Sequence, residues 1–455
     1  MKLDQFKNIH FIGIGGISMS SLAEILMNKG YKVSGSDMNK SPLTDKLAAM
    51  GAEIFIGQCA ENIKDDYDLV VYTAAIGPDN AELKMAKDKG LCVIDRAELV
   101  GMLMLTYDKP ISIAGTHGKT TTSSIVTEIF LNANTDPTIS IGGILPTING
   151  NFRMGSNEYF VLETCEYCDS FLKFNPHSAI ILNVELDHTD YFKDLDHIYS
   201  SFNRFAKRIS PNGFLVINGD IENVEDIIED LDCEVITYGS NKDFDWSAKN
   251  IRLDNRGCGC YTAMNCGNPV AEVQLNIPGI HNVYNSLAAF ALAYEYGLEV
   301  EDIVNGIAKY TGVDRRFQHK GEFNGVTVVD DYAHHPTEIA ATLGSAKACD
   351  INNLWVVFQP HTYTRTYDLL QDFAQVLANA QNVVLVDIYA AREKDTGMVS
   401  SKTLEEAINI KGGNAVYVGG FKEAENYLRE KCTVGDMVIT MGAGDVFKIG
   451  ENLVK

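Results

Sequence analysis

Short apolar runs alternate with helical patterns along the first hundred residues. IHFIGIG predicts a strand, MSSLAEILMNKG predicts a helix that ends on glycine, and YKVSGSD predicts a second strand. The segments DKLAAMGAEIFIG and DLVVYTAAI continue the alternation, and LTYDKP ends it near residue 107. Strands that alternate with helices are typical of a parallel, doubly wound sheet. The pattern therefore predicts a Rossmann-like domain over residues 1–107.

Two further regions repeat this alternation. The second region opens with a strand, a glycine turn and a helix, and it continues with the strands YFVLE, AIILNV and FLVIN and a helix around residues 199–209. A less regular stretch is predicted at residues 240–278, followed by the helix HNVYNSLAAFALAYEYG. The third region alternates the strands VTVVDDYA, LWVVFQ, NVVLVDIY and MVITMGAG with the helices TEIAATLGSAKA and YDLLQDFAQVLA. We therefore predict an α/β fold of three domains, with a central α/β domain at residues 108–313 and a second Rossmann-like domain at residues 314–455.

The bulk composition narrows the location and the partners of the protein. Of the 455 residues, 45% are hydrophobic and 22% are charged, which is ordinary for a soluble globular protein. No stretch approaches the ~18 uncharged apolar residues of a membrane span, and the N-terminus runs directly into a strand rather than a signal peptide. We therefore expect a cytoplasmic protein. The formal net charge of −23 argues against nucleic acid or an anionic membrane as a partner, but a local site of amides, cationic side chains and Mg²⁺ can still bind a nucleotide.

The cysteines predict neither a disulfide scaffold nor a zinc site. Ten cysteines in a chain of this length do not indicate a disulfide framework, and in the cytosol most of them should be reduced. Two clusters, Cys165 with Cys168 and the group Cys258, Cys260 and Cys266, could together supply zinc ligands, but the second cluster is spaced poorly for zinc and lies in a stretch rich in glycine and asparagine.

The segment from Ile111 to Ile125, ISIAGTHGKTTTSSI, carries the clearest chemistry in the chain. An apolar strand leads into a turn with two glycines, after which Lys119 and Thr120 open a helical pattern. In such a turn the backbone N–H groups and the helix N-terminus attract an anion, the lysine reaches the outer phosphates and the threonine hydroxyl can ligate Mg²⁺. The segment therefore predicts a site for a nucleoside triphosphate; the alternative is an ordinary glycine-rich turn before a helix.

The spacing of this loop differs from the general phosphate-loop pattern, because only two residues separate its glycines. The shorter form G-T-x-G-K-[ST] resembles the nucleotide loop of the Mur ligases, which are the ATP-dependent amide-forming enzymes of peptidoglycan assembly. The resemblance implies that the central domain is a P-loop ATPase domain and that ATP is bound by Gly115, Thr116, His117, Gly118, Lys119, Thr120 and Thr121.

The first glycine turn, G-I-G-G-I-S after the first strand, nearly matches the dinucleotide fingerprint, and Asp37 ends the second strand at a suitable offset for a ribose contact. An NAD-dependent enzyme, a nucleotide-sugar site and a purely structural turn all remain open on this pattern alone. The string HFIGIGGISMSSLAEIL is similar to the N-terminal motif of the alanine-adding branch of the Mur ligases. That resemblance implies a UDP-binding domain whose diphosphate and nearby contacts come from Gly15, Gly16, Ile17, Ser18, Met19, Asp37, Thr73 and Ala74.

Acidic and imidazole side chains follow two strands near the phosphate loop. Strand YFVLE ends on Glu163, and strand AIILNV leads into the sequence ELDH that ends on His188. A carboxylate and an imidazole at strand ends can hold a divalent cation, although a histidine after an aspartate is more often a surface or capping residue. N-V-x-x-D-H resembles the Mur ligase signature, which implies Thr120, Glu163 and His188 as ligands of Mg²⁺ or Mn²⁺. Cys165 and Cys168 replace acidic residues of the family pattern, and we interpret them as neutral packing residues.

The C-terminal half carries three further strings. Asn282 and Asn285 lie one turn apart on a predicted helix, where they could contact adenine or merely cap the helix. The paired arginines of TGVDRRF can reach phosphates from a domain junction. GIHNVYN, DDYAHHP and FQPHTYTRT resemble Mur ligase motifs, and Thr362 stands where some members carry a second arginine. The resemblance implies roles for Asn282 and Asn285 in adenine binding, Arg316 on the ATP phosphates, Asp331 on the ribose, and Tyr332, His334 and Arg365 around the amino acid.

Taken over the whole chain, the resemblance implies a ligase that joins L-alanine to UDP-N-acetylmuramate with ATP and Mg²⁺ or Mn²⁺, as a monomer or homodimer. Lys119, Glu163, His188 and Arg316 are the implied catalytic residues. A recycling ligase that joins a whole peptide to the same sugar nucleotide is the nearest alternative. A dinucleotide-dependent oxidoreductase and a non-catalytic nucleotide sensor are alternatives from other classes.

Overall fold

The computed structural model of the chain describes residues 2–73, 75–188, 191–391 and 393–455. The described residues form a mixed α/β protein with three sheets, which confirms the predicted fold class. The chain divides into two compact units, the first comprising residues 1–123, 134–142 and 150–238 and the second comprising residues 124–133, 143–149 and 239–455. The boundaries at residues 107 and 313 stay predictions. Among the described residues, we find no helix with the length and apolar character needed to cross a bilayer.

The N-terminal part of the first unit is a parallel sheet with helices between its strands. Its elements are β1 (Asn8–Ile12), α1 (Ile17–Asn28), β2 (Lys32–Asp37), α2 (Pro42–Ala49), β3 (Glu53–Ile56), β4 (Leu69–Tyr72), α3 (Ala81–Asp88), β5 (Cys92–Asp95) and α4 (Arg96–Met104). The strand order β3-β2-β1-β4-β5 places β1 at the centre. The side chains from Ile9 to Ile12 are all buried, as expected for a parallel strand that is covered on both faces.

The remainder of the first unit surrounds the phosphate-loop strand. The elements along this stretch are β6 (Lys109–Ala114), α5 (Lys119–Asn132), β7 (Thr138–Leu145), β8 (Gly150–Arg153), β9 (Tyr159–Glu163), β10 (Ser178–Ile181), α6 (Leu195–Ala206), β11 (Phe214–Asn218), α7 (Val224–Ile228) and β12 (Glu234–Gly239). The C-terminal residues of α5, β7 and β12, from positions 124, 143 and 239 respectively, are assigned to the second unit. The strands follow the order β12-β11-β10-β6-β9-β7-β8 and pair in parallel from β12 to β7. The helix predicted at residues 199–209 begins earlier, because the Asp194 side chain caps it by accepting from the His197 amide at 2.8 Å.

The second unit begins with an antiparallel meander that leads into two helices. Its elements are β13 (Trp246–Leu253), β14 (Cys258–Asn265), β15 (Asn268–Pro278), α8 (Ile280–Glu295) and α9 (Val300–Lys309). The prediction of a less regular stretch at residues 240–278 was therefore wrong. Burial alternates along β15, with Val273 and Leu275 buried and their neighbours more exposed. The ring of Trp246 packs 5.3 Å from the ring of Phe290 on α8, so the meander covers this helix.

The C-terminal part of the second unit is a second largely parallel sheet. Its elements are β16 (Gln318–Phe323), β17 (Val326–Asp331), α10 (Pro336–Lys347), β18 (Leu354–Phe358), α11 (Tyr363–Asp368), α12 (Leu370–Leu377), β19 (Asn382–Val386), α13 (Ser401–Ile410), β20 (Ala415–Gly419), α14 (Phe421–Lys431), β21 (Met437–Met441) and α15 (Phe447–Leu453). The strand order is β16-β17-β21-β18-β19-β20, with only β16 antiparallel to its neighbour. The register pairs Met441 with both Asp331 and Phe358, so three strands end at one edge, where parallel sheets place ligand-binding residues.

Candidate active site

The phosphate loop has the strand–turn–helix geometry that its sequence predicts. β6 ends at Ala114 and α5 begins at Lys119, so the turn consists of the four residues GTHG. Gly115 and Gly118 have φ values of +140° and +81°, a region that other residues rarely adopt. A Cβ atom on Gly115 would also lie 3.0 Å from the Leu182 side chain. Both glycines are therefore required by the backbone of the turn.

The loop is held from the neighbouring chain segment by Asn183, to which the sequence analysis assigned no role. The His117 amide donates to Asn183 Oδ1 at 2.7 Å, and Asn183 Nδ2 donates to the His117 carbonyl at 3.0 Å. The Thr116 amide donates to the Asn183 carbonyl at 3.1 Å, and the Glu185 amide donates to Thr116 Oγ1 at 2.9 Å. The sequence feature that could have pointed to Asn183 is its place as the first residue of the motif NVELDH. The asparagine shapes the turn on which a phosphate would rest.

Lys119 lies over the loop and makes a buried ion pair. Its ammonium donates to the carbonyls of Gly115 and Thr116 and to Glu166 Oε2, the last at 3.1 Å. The Lys119 side chain is 14% exposed and that of Glu166 is 0% exposed. Burial alone would lower the pKa of Lys119, but the negative charge of Glu166, with smaller contributions from Cys165 and Glu163, holds it above the usual value. The lysine is therefore a permanent cation at the loop.

The metal-ligand candidates supply one hydroxyl, one carboxylate and one imidazole. Thr120 is buried in the first turn of α5. Glu163 ends β9 opposite Ile113 of β6, beside the loop, and its Oε2 accepts from the Gly142 amide at 2.8 Å. His188 has a φ of +53°, and its ring packs 4.7 Å from the Tyr167 ring. Oxygen donors with one imidazole fit Mg²⁺ or Mn²⁺.

The two cysteines in this region are not packing residues. Cys165 and Cys168 both lie in exposed positions after β9, so the packing part of the interpretation was wrong. Desolvation raises the pKa of the Cys165 thiol, which agrees with the neutral part. The backbone turns sharply here, since Cys168 and the following Asp169 both have positive φ values. The carboxylate of Asp169 accepts from the Arg204 guanidinium at 2.7 Å, which fixes the turn against α6.

The first glycine turn is built in the same unit at the end of β1. The Ser36 carbonyl accepts from the amides of Gly13 and Ile14 at 2.8 and 2.9 Å. The Gly15 amide donates to Asp37 Oδ2 at 2.9 Å, and a Cβ atom on Gly15 would lie 2.8 Å from that oxygen. Asp37 therefore shapes the turn itself, and any larger residue at position 15 would have to displace the Asp37 carboxylate.

The start of α1 presents backbone amides rather than charged side chains. Gly16 caps the helix, so the amides of the next three residues lack partners within the helix, as at any helix N-terminus. Ile17 and Ser18 are exposed, whereas the Met19 side chain is 2% exposed and belongs to the core. Met19 can therefore offer only its amide. Thr73 follows β4, and its methyl group blocks any Cβ atom at Gly13, whereas Ala74 lies outside the described residues.

In the second unit, the two asparagines lie at the buried start of α8. Asn282 and Asn285 are 7% and 8% exposed. Asn285 Nδ2 donates to Asn282 Oδ1 at 3.0 Å, and Asn282 Nδ2 donates to the Pro278 carbonyl at 2.7 Å. Burial, with a contribution from the charge of Arg316, lowers the pKa of the nearby His281 to about 4. The structure therefore brings Arg316 close to the start of this helix.

The strings DRRF and DDYAHHP meet at the carboxyl end of β17. Asp331 accepts from the amides of Phe317 and Ala333, both at 2.8 Å, and burial raises its pKa to about 6. The guanidinium carbon of Arg316 lies 5.5 Å from the Tyr332 ring. Within the second unit, the structure thus brings together three of the predicted residues, Arg316, Asp331 and Tyr332.

Glu338 and His361 join this group, and the sequence analysis gave neither a role. Glu338 lies 3.7 Å from the Arg316 guanidinium and 3.2 Å from His334 Nδ1. Burial lowers the pKa of His361 to about 4, with further contributions from His334 and Arg365, so all three side chains are neighbours. The His361 ring also stacks on Tyr389 with centroids 5.6 Å apart.

Thr362, the departure from the family pattern, has a local structural role. Its φ is +63°, and its hydroxyl caps α11 by accepting from the Arg365 amide at 3.4 Å. The Glu393 carboxylate accepts from the next two amides, those of Tyr363 and Thr364, at 2.6 and 3.0 Å. The start of α11 is therefore held by a threonine and a glutamate.

Comparisons with known proteins agree over the full chain. Three family models match in succession, described as "Mur ligase family, catalytic domain" at residues 8–108, "Mur ligase middle domain" at residues 113–293 and "Mur ligase, glutamate ligase domain" at residues 315–444. Proteins of Lachnospira eligens and Agathobacter rectalis, both named UDP-N-acetylmuramate–L-alanine ligase, are 54% and 52% identical to the chain. Each alignment covers 98% of this chain and 98% of the relative.

Two solved structures resemble the fold over nearly its whole length. A UDP-N-acetylmuramate-alanine ligase of Thermotoga maritima has a TM-score of 0.80 at 28% identity, covering 99% of this chain and 98% of its own. A murein peptide ligase of Psychrobacter arcticus has a TM-score of 0.70 at 26% identity, covering 98% of both chains.

Proposed function

The chain belongs to the Mur ligase family, and on that premise we propose that it joins L-alanine to the lactyl carboxylate of UDP-N-acetylmuramate with consumption of ATP. The observation that best supports this proposal is that two relatives named UDP-N-acetylmuramate–L-alanine ligase are 52% and 54% identical to the chain, in alignments that cover 98% of both proteins. We place the reaction in the cytoplasm, as a step of peptidoglycan precursor synthesis.

The reaction has two steps that gather negative charge. The lactyl carboxylate attacks the γ-phosphorus of ATP, giving an acyl phosphate and ADP. The amine of L-alanine then attacks the acyl carbon, an amide forms, and phosphate leaves. Such transfers depend mainly on positioning and on cations at the phosphates.

We assign the first step to the phosphate loop. Its amides and the N-terminus of α5 hold the phosphates, and Lys119 neutralises them as the fixed cation of the loop. We assign Arg316 to the same phosphates. Thr120, Glu163 and His188 would hold Mg²⁺, which supplies further positive charge on the transferring phosphoryl group.

We assign the remaining substrate groups to the other candidate residues. The first glycine turn and the start of α1 would hold the diphosphate of the sugar nucleotide through backbone amides. Asn282 and Asn285 would contact adenine, and Asp331 the ribose. Tyr332, His334 and Arg365 would surround L-alanine, with the guanidinium binding its carboxylate. His361, whose ring centroid lies 5.8 Å from that of His334, belongs to the same proposed site for L-alanine.

Phosphate release tests the proposal directly. The purified chain is incubated with ATP, Mg²⁺ and UDP-N-acetylmuramate, and L-alanine, glycine, L-serine and a tripeptide are compared as acceptors. We expect turnover to depend on both the sugar nucleotide and L-alanine, with the amide product confirmed by mass. Preference for the tripeptide would identify the recycling ligase instead, an alternative kept open by the resemblance to the murein peptide ligase. Nicotinamide reduction without phosphate release would refute ligation altogether.

A further inference from the structure

The two arginines of DRRF have different surroundings. Arg316 lies beside Glu338 and the Tyr332 ring, as described above. Arg315 has a φ of +64° and points to the sheet beneath. Its Nε donates to the Asp330 carboxylate at 3.0 Å, and its Nη2 donates to the Gly442 carbonyl at 2.6 Å. Its role is therefore distinct from the phosphate contact assigned to Arg316.

The guanidinium of Arg315 is enclosed by groups from several elements. Its central carbon lies 4.8 Å from the ring centroids of both Tyr332 and Phe447. The Asp330 side chain is fully buried and also accepts from the Thr440 hydroxyl at 2.6 Å. A planar, always charged guanidinium can stack between two rings while its N–H groups bond in its plane. A lysine cannot satisfy this combination of contacts.

The same residue fixes the backbone that carries Tyr332. The Tyr332 amide donates to the Arg315 carbonyl at 2.7 Å, and the Phe317 amide donates to Asp331 at 2.8 Å. The chain from Arg315 to Phe317 is thus bonded to the carboxyl end of β17. Residues from β17, from the turn just after β21 and from α15 thus contact this one side chain.

We propose that Arg315 is a positioning residue for the acceptor amino acid, acting through Tyr332. Its guanidinium packs against the Tyr332 ring. Its carbonyl accepts a hydrogen bond from the Tyr332 amide, which fixes the position of the Tyr332 backbone at the sheet edge. This inference rests on the proposed role of Tyr332 around L-alanine. Loss of the stacked guanidinium lets the ring turn away, so alanine binding weakens while the sugar-nucleotide turn in the first unit is unaffected.

The test compares Arg315→Lys with a matched control, Arg429→Lys. Arg429 belongs to the same unit, its guanidinium lies 5.5 Å from the Phe323 ring, and it donates to the carbonyls of Asn452 and Leu453. Initial rates of phosphate release are measured with ATP, UDP-N-acetylmuramate and L-alanine each varied in turn. Melting temperatures are recorded for both variants. If Arg315→Lys does not fold, the double variant Arg315→Met/Asp330→Asn removes both charges together and takes its place.

We expect the KM for L-alanine to rise about tenfold or more in Arg315→Lys, and the KM for UDP-N-acetylmuramate to stay within about twofold. Arg429→Lys should leave all three KM values near those of the wild type. An unchanged KM for L-alanine would overturn the inference, and so would a proportional rise of all three KM values with a lowered melting temperature, which indicates a structural role alone. Absence of alanine-dependent turnover in the wild type would instead refute the proposed function.

Discussion

The buried pair of Lys119 and Glu166 allows the role of the loop lysine to be separated from its effect on folding. In Lys119→Ala the Glu166 carboxylate keeps its full burial but loses its cation. Its second oxygen, Oε1, has no hydrogen-bond partner among the described residues, so no neighbouring donor compensates for the loss. The substitution therefore removes a phosphate ligand and leaves an uncompensated buried charge.

The expected magnitudes follow from this geometry. Breaking a buried pair from one side costs about 3–5 kcal/mol, which corresponds to a fall of about 6–20 °C in melting temperature for a unit of ~200 residues. Removing a cation from a phosphoryl transition state lowers turnover by roughly a thousandfold or more. Lys119→Ala should show both effects. Lys119→Met/Glu166→Gln removes both charges, so it should regain most of the stability and none of the activity.

The assay combines thermal unfolding with phosphate release in the presence of UDP-N-acetylmuramate and L-alanine. Lys84→Ala serves as the control, because it breaks a solvent-exposed ion pair, with Lys84 Nζ 2.8 Å from Asp79 Oδ1, and should leave the melting temperature close to that of the wild type. Recovery of more than about a tenth of wild-type turnover in the double variant would show that Lys119 acts through folding, and the reasoning about the loop would fail.

Three other predictions concern the metal, the ribose and the sugar nucleotide. His188→Ala should raise the Mg²⁺ concentration for half-maximal activity steeply, and an unchanged metal titration would remove His188 from the site. The pKa of Asp331 is raised to about 6, so the stability contributed by its protonated form is lost as the pH rises from about 4 through 6. Because the carboxylate forms over the upper part of that range, kcat/KM for ATP should rise there. Asp331→Asn should lose that acidic limb; its persistence would assign the limb to another group. Gly15→Ala should raise the KM for UDP-N-acetylmuramate by displacing Asp37, whereas Gly344→Ala, on open helix surface, should not.

The parts of the fold that the sequence predicts well are those with one strong local signal. The run from Ile111 to Ile125 gives a strand, a turn and a helix whose bounds match β6 and α5 closely, because glycine, lysine and apolar spacing all favour the same backbone. The prediction for residues 240–278 failed because the turns of this segment are rich in glycine and asparagine, and because burial alternates along only part of each strand. The helix predicted from Tyr367 divides at Leu369, whose ψ of 18° leaves the helical region while its side chain packs against the core.

The candidate residues were predictable as a set, but their partners were not. The motif NVELDH pointed to His188, yet it is the side chain of Asn183 that makes two hydrogen bonds to the backbone of the loop. The pair Arg315 and Arg316 looks like two equivalent cations in the sequence, although Arg315 pairs with the buried Asp330 and Arg316 lies beside Glu338. Such differences depend on contacts between strands distant in sequence, which no local pattern contains.

The same arrangement recurs in three turns, two in the first unit and one in the second. A polar side chain at or just beyond the end of a parallel strand accepts a hydrogen bond from a backbone N–H of a neighbouring turn. Asp37 accepts from Gly15, Asn183 accepts from His117, and Asp331 accepts from Phe317. Strand-end acids and amides are usually read as ligand contacts. Here they first set the backbone on which the ligand rests, so their substitution changes the shape of the site as well as its charge. Variants that keep the acceptor oxygen, such as Asp37→Asn, should therefore retain more substrate affinity than alanine variants, even where the charge itself is lost.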